Sequence, residues 1–131
     1  MHLLLIEPDL LLAKIYMAAL KRAGHTVKHA VSAQQAVHLA DKHAPDAVIV
    51  ELQLPRHNGV EFLYEFRSYS EWLQVPIVVH TAVPLSELAG AATLHAELGV
   101  QRVLYKPATS LEQLCTVIQQ VAAAAAPAAV S

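Results

Sequence analysis

What most constrains this chain is its alternation of short, strand-length segments with longer stretches that carry apolar residues at helical spacing. Leu3 to Ile6 and Ala47 to Val50 are continuous apolar runs of the kind found in parallel strands covered on both faces. Ile77 to His80, entered through Pro76, and Gln101 to Tyr105, followed by Lys106-Pro107, complete the stronger set. His25 to Val31 reads as the second strand in order, weaker because His and Lys are interleaved. Between these segments the periodicity changes. Asp9 caps a helix running to about Arg22, with Leu12, Ile15, Tyr16, Ala19 and Leu20 inward, and Gly24 ends it in a left-handed conformation. Ser32 caps a second helix, with Ala36, Val37 and Ala40 inward, which stops before Pro45. A third helix is expected from about Val60 to Trp72. A fourth runs from Pro84, suited to a first turn, to about Leu98. The last, from about Ser110 to Val121, carries Leu111, Leu114, Cys115, Ile118 and Val121 on one stripe. Five strand–helix units predict an α/β domain: a parallel sheet with right-handed crossovers and helices on both faces.

Composition narrows the function classes. At 131 residues and 55% apolar, the chain has room for one domain with a substantial core. Its formal net charge of −2 argues against a domain that itself grips nucleic acid. Glu7 and Pro8 interrupt the first apolar run, so neither a membrane span nor a signal peptide fits. The single cysteine, Cys115, excludes an internal disulfide and suits a reducing cytoplasm; on its apolar stripe it reads as inert packing. Residues 1–121 read as the domain. Ala122 to Ser131, nearly all Ala and interrupted by Pro127, reads as a frayed tail or the start of a linker to an output domain after residue 131.

Chemistry in such a sheet collects at the carboxyl ends of its strands. There the chain places Glu7-Pro8-Asp9, then Glu51 opening into Leu52-Gln53-Leu54-Pro55-Arg56-His57-Asn58-Gly59, then Thr81-Ala82, then Lys106-Pro107. With Pro45-Asp46 and Pro76 at strand entrances, this set in this order resembles the receiver domain of bacterial two-component response regulators, over about residues 2 to 121. The resemblance implies a flavodoxin-like, CheY-like doubly wound sheet of five strands in the order 2-1-3-4-5. It also implies a chemistry. In that family an aspartate at the end of the third strand accepts a phosphoryl group from a phosphohistidine. Magnesium is held by an acid after the first strand, by that aspartate and by a backbone carbonyl two residues on. A lysine pairs with the acid or the phosphate, and a hydroxyl from the fourth strand bonds the phosphate. Such transfer depends on positioning and charge neutralisation.

Three residues depart from the family's pattern. Glu51 stands at the phosphoacceptor position, its carboxylate roughly 1.5 Å further from the backbone, where misplacement by ~1 Å costs about a hundredfold in rate. Pro8 replaces the acid that usually binds the metal. Val103 stands where the family usually has Tyr or Phe, the ring that turns inward on activation. Thr81 and Lys106 are retained, and the longer acid is expected to pair with Lys106. Glu51 therefore reads either as a structural acid neutralising Lys106 or as a constitutive stand-in for the active form. Thr81 reads as a loop cap, and Asp9 as a helix cap. Glu7, Glu51 and the Gln53 backbone are weak candidate metal ligands, and the expectation is of no catalytic residue, no cofactor and no bound magnesium.

The resulting expectation is a phosphorylation-independent signalling module, not an enzyme, that works through protein contacts. Its alternatives are a functional receiver phosphorylated by a histidine kinase with magnesium, and a domain sensing a small ligand or pH at the altered rim. In the family, the face formed by the fourth helix, fifth strand and fifth helix makes dimers and output contacts. The Ala- and Leu-rich fourth helix reads equally as such a surface or as a small-residue helix packed on the sheet, with Arg102 as an edge charge. Eight histidines include no HExxH or Cys/His pattern. His25, His29, His38 and His43 read as solvent-facing, whereas His80 lies near the rim and is expected to titrate near neutrality.

Overall fold

A computed structural model describes residues 1–56, 58–88 and 91–125. Five strands, β1 (His2–Ile6), β2 (Thr26–Ala30), β3 (Ala47–Val50), β4 (Ile77–Thr81) and β5 (Val100–Tyr105), alternate with five helices. These are α1 (Leu10–Arg22), α2 (Ala33–Lys42), α3 (Gly59–Ser68), α4 (Ala91–Ala96) and α5 (Leu111–Ala125). All strand pairs are parallel, in the order β2-β1-β3-β4-β5. This is the expected doubly wound sheet. Because successive side chains point to opposite faces, each central strand feeds two cores. Leu4, Ile6, Val48, Val50, Ile77 and Val79 pack beneath α2, α3 and α4. Leu3, Leu5, Ile49 and Val78 pack beneath α1 and α5.

The expected caps are in place. Asp9 accepts the Leu12 N–H at 3.0 Å and Ser32 the Gln35 N–H at 3.2 Å. Gly24, at φ +97°, takes the left-handed turn that ends α1.

Four expectations are corrected. Ile15 is 41% exposed, while Ala13, three residues from Tyr16, is buried in its stead. Leu111 sits at the edge of α5, and Val117 takes the inward place. The third helix stops at Ser68 and is followed by a separate 3₁₀ turn, Ser70–Trp72. Trp72 folds back to stack on Phe66, at 4.8 Å, and the Arg67 guanidinium donates to the Trp72 and Leu73 carbonyls, so packing overrides helix continuation. The fourth helix is likewise divided, into a 3₁₀ turn Leu85–Glu87 and α4, with residues 89 and 90 outside the described segments. Leu94 of α4 and Leu98 just beyond it are buried, while Ala92 and Ala96 are exposed.

α5 continues through Ala125 into the alanine run. Pro127 and the rest of the tail lie outside the described residues, as does His57. No described helix is long and apolar enough to cross a membrane.

Candidate functional site

Strand order assembles the rim. β1 and β3 are neighbours in register, Ile6 beside Val50, so the residues that follow them, Glu7 and Glu51, emerge side by side. The Glu51 N–H donates to the Ile6 carbonyl at 3.0 Å. Thr81 ends β4 on the other side of β3, and Lys106 follows β5. The loop after Glu51 is held down by Gly59, whose N–H donates to the Leu52 carbonyl at 2.7 Å. A Cβ at Gly59 would lie 2.6 Å from Leu52 Cα and 2.7 Å from the Glu51 carbonyl oxygen, so only glycine permits this approach.

The lysine serves two acids. Lys106 Nζ donates to Glu51 Oε1 at 2.7 Å, the expected pair, and to Glu7 Oε1 at 2.5 Å. Both carboxylates are almost fully buried, their side chains 3% and 4% exposed against 12% for the lysine. Glu51 is then saturated from the backbone. Its Oε2 accepts the N–H groups of Leu52 (2.6 Å) and Gln53 (3.2 Å), and its Oε1 accepts the Ala82 N–H at 3.1 Å. Burial pushes the Glu51 carboxyl upward, but the bonds from Lys106, the Thr81 hydroxyl, Ala82 and Gln53 outweigh it and hold its pKa below the ordinary value. For Lys106, burial favours the neutral amine, yet its bonds to Glu51 and Glu7 hold its pKa above the ordinary value. Glu51 and Lys106 are therefore both charged at neutral pH.

The other candidates are distributed around this core. Thr81 is fully buried, and its oxygen accepts the Val83 N–H at 3.1 Å, the arrangement of a loop cap. Asp9 is exposed at the cap of α1, and only its N–H reaches the cluster, donating to Glu7 Oε2 at 3.1 Å. Pro8 adds no polar side-chain group. It is the Gln53 N–H that meets Glu51. Val103 is half-buried against the α2–α4 core. Among the described residues, no group of three or more His, Cys, Asp or Glu is placed to hold a metal ion.

His38 and His43 are exposed as expected, whereas His25 and His29 are half-buried. His29 Nε2 bonds the Glu7 carbonyl at 2.7 Å, tying β2 to the rim. His2 is buried and stacks on His43, ring centroids 3.9 Å apart. His80 is 4% exposed, edge-on to Tyr16, and its pKa falls to about 4, through burial first and the Lys106 charge second. It does not titrate near neutrality. Its position was readable, since it alternates with Val78 on the α1 side of a central strand. Glu7 as a second partner of Lys106, and the backbone N–H groups that surround Glu51, were missed. Adjacency of β1 and β3 is the signal that would have paired the two acids.

Comparison with known proteins agrees with the fold and the rim. Residues 3–119 match the response regulator receiver domain family, and the chain belongs to it. It is a receiver domain of two-component signalling. Over 82 residues it is 34% identical to the transcriptional regulatory protein PhoP of Escherichia coli K12, a match covering 63% of this chain and 36% of that protein. Among solved structures it resembles a putative response regulator from Chloroflexus aurantiacus, with 26% identity, TM-score 0.79, and 93% and 97% of the two chains covered. A sensor protein from Polaromonas sp. JS666 is similar at 25% identity, TM-score 0.79, with 95% and 98% covered.

Proposed function

We propose that this receiver works without phosphorylation, as a cytoplasmic module that acts through protein contacts, with Glu51 supplying in cis the anion that a phosphoryl group would bring. The observation that carries this reading is the saturated carboxylate: each Glu51 oxygen accepts at least two donors, among them Lys106 and the backbone of two loops. An attacking carboxylate needs a free oxygen at the mouth of the site, and this one is turned inward and bonded.

The residues present do not fit magnesium. That ion requires near-ideal octahedral oxygen coordination at about 2.0–2.1 Å. Here the Oε1 atoms of Glu7 and Glu51 share an ammonium, their Oε2 atoms accept N–H groups, and Pro8 offers no ligand. Lys106 performs the neutralisation that a cation would. No enzymatic step is assigned. The partners are proteins, including an output domain in the full-length product, a proposal in keeping with the PhoP match, which covers only about a third of that regulator.

The test is treatment with acetyl phosphate or phosphoramidate in the presence of magnesium, followed by intact mass. The mass is expected to stay unchanged. A magnesium-dependent phosphate on Glu51 overturns the proposal and makes the domain a working receiver.

A further inference from the structure

Two surfaces with unused binding capacity lie on opposite faces of the sheet. On one, the first turns of α1 expose Leu10, Leu11 and Ile15 at 61%, 70% and 41%. Lys14, Lys21 and Arg22 flank them, exposed and in no ion pair among the described residues. On the other, a cleft of about 940 Å³ runs between α2 and α3. Val37 lies over the buried Phe62 and Trp72 at its floor, and the exposed Tyr69 and the polar Gln34 and His38 also line it. Asp41 of α2 and Glu65 of α3 stand exposed on its two lips, and no Lys or Arg lines it among the described residues.

We infer that this chain assembles with itself head to tail, α1 of one copy lying in the α2–α3 cleft of the next. Leu11 and Ile15 meet the apolar floor, while Lys14 and the basic last turn of α1 meet Asp41 and Glu65. An apolar patch of this kind on a surface helix marks a contact site, and opposite charge at the two rims selects the partner and its orientation. The occupant follows from the same charges. Pairing α1 with α1 of a second copy would bring two sets of Lys14, Lys21 and Arg22 together, whereas the cleft offers carboxylates. Topology sets the form of the assembly. α1 and the cleft belong to different layers, so one molecule uses both at once, and a heterologous contact that does not close propagates as a chain.

The experiment is sedimentation velocity on the full chain across concentration and salt, with two variants, Leu11→Glu on the helix and Glu65→Lys on the cleft. Wild type is expected to grow past two copies with concentration and to weaken as salt screens the rim charges. Each variant is expected to lose about thirtyfold or more in association, the effect of removing an interface anchor. Both substitutions are at exposed positions, and far-ultraviolet circular dichroism checks that the fold is kept. Mixing the two variants is decisive. Each retains one intact surface, so the mixture is expected to form a one-to-one dimer and nothing larger. Wild type that stays monomeric throughout, or stops at a dimer, overturns the inference, as does a mixture that stays monomeric.

Discussion

Replacing Lys106 by Met tests whether the rim is held by one ammonium between two acids. The Oε1 atoms of Glu7 and Glu51 contact the same Nζ at 2.5 and 2.7 Å, so they are no more than about 5 Å apart. Without the lysine their repulsion is on the order of 3 kcal/mol at an effective dielectric constant near 20. Removing one partner of a buried pair costs about 3–5 kcal/mol in general, a large share of the roughly 5–15 kcal/mol that holds a domain together. The pH dependence gives the sign. In the wild type, the depressed Glu51 pKa contributes stability that is present above the ordinary value of 4.5 and lost as pH falls through the folded value. The raised Lys106 pKa contributes stability present below 10.5 and lost as pH rises through its folded value. In Lys106→Met, burial of Glu51 is no longer offset by the ammonium, so that variant is stabilised by acid instead. The gap between the two proteins therefore narrows from pH 7 toward pH 4.5. Urea unfolding followed by the fluorescence of Trp72, the chain's one tryptophan and 2% exposed, measures it. The double variant Glu51→Gln, Lys106→Met keeps the test informative if the single one is unfolded, since removing one negative charge should recover much of the loss. A loss below about 1 kcal/mol at pH 7, or one independent of pH, refutes the shared-ammonium account.

Two further outcomes are expected. Restoring the shorter acid and a metal-binding acid together, Glu51→Asp with Pro8→Asp, should give magnesium binding detectable by calorimetry; no gain at all would mean the rim is misaligned with the family pattern. His80, with its pKa lowered from 6.5 to about 4, should show no ring titration by NMR between pH 8 and pH 5. Because the unfolded chain binds that proton and the folded one does not, stability should fall as pH drops from 6.5 to 4, by about 3 kcal/mol in all. His80→Phe should remove that slope, and a slope unchanged in the variant would assign the acid sensitivity to other groups.

How much of this was readable from the sequence depends on whether neighbouring residues or distant ones decide the outcome. β1 and β3 were legible because burial on both faces demands an uninterrupted apolar run, and Leu3 to Ile6 are each at most 1% exposed. The caps at Asp9 and Ser32 were legible because a side-chain oxygen satisfies an N–H only three residues away. Ile15 was misplaced because it and Ala13 both fit a helical stripe with Tyr16 or Ala19. Which of them faces inward depends on the angle at which α1 meets the sheet. The end of α3 was misplaced because Trp72 and Arg67, not local propensity, decide where the chain turns back. The same division runs through the site. That a glutamate replaces the expected aspartate can be read at one position. That its carboxylate is a fully bonded acceptor requires counting donors from the loop after β3, from the loop after β4 and from Lys106, 55 residues away. The added methylene thus does more than misplace a nucleophile: it carries the carboxylate in among the donors of the rim. The Glu51→Asp, Pro8→Asp variant therefore probes both changes at once, withdrawing the internal anion while supplying a ligand for a cation.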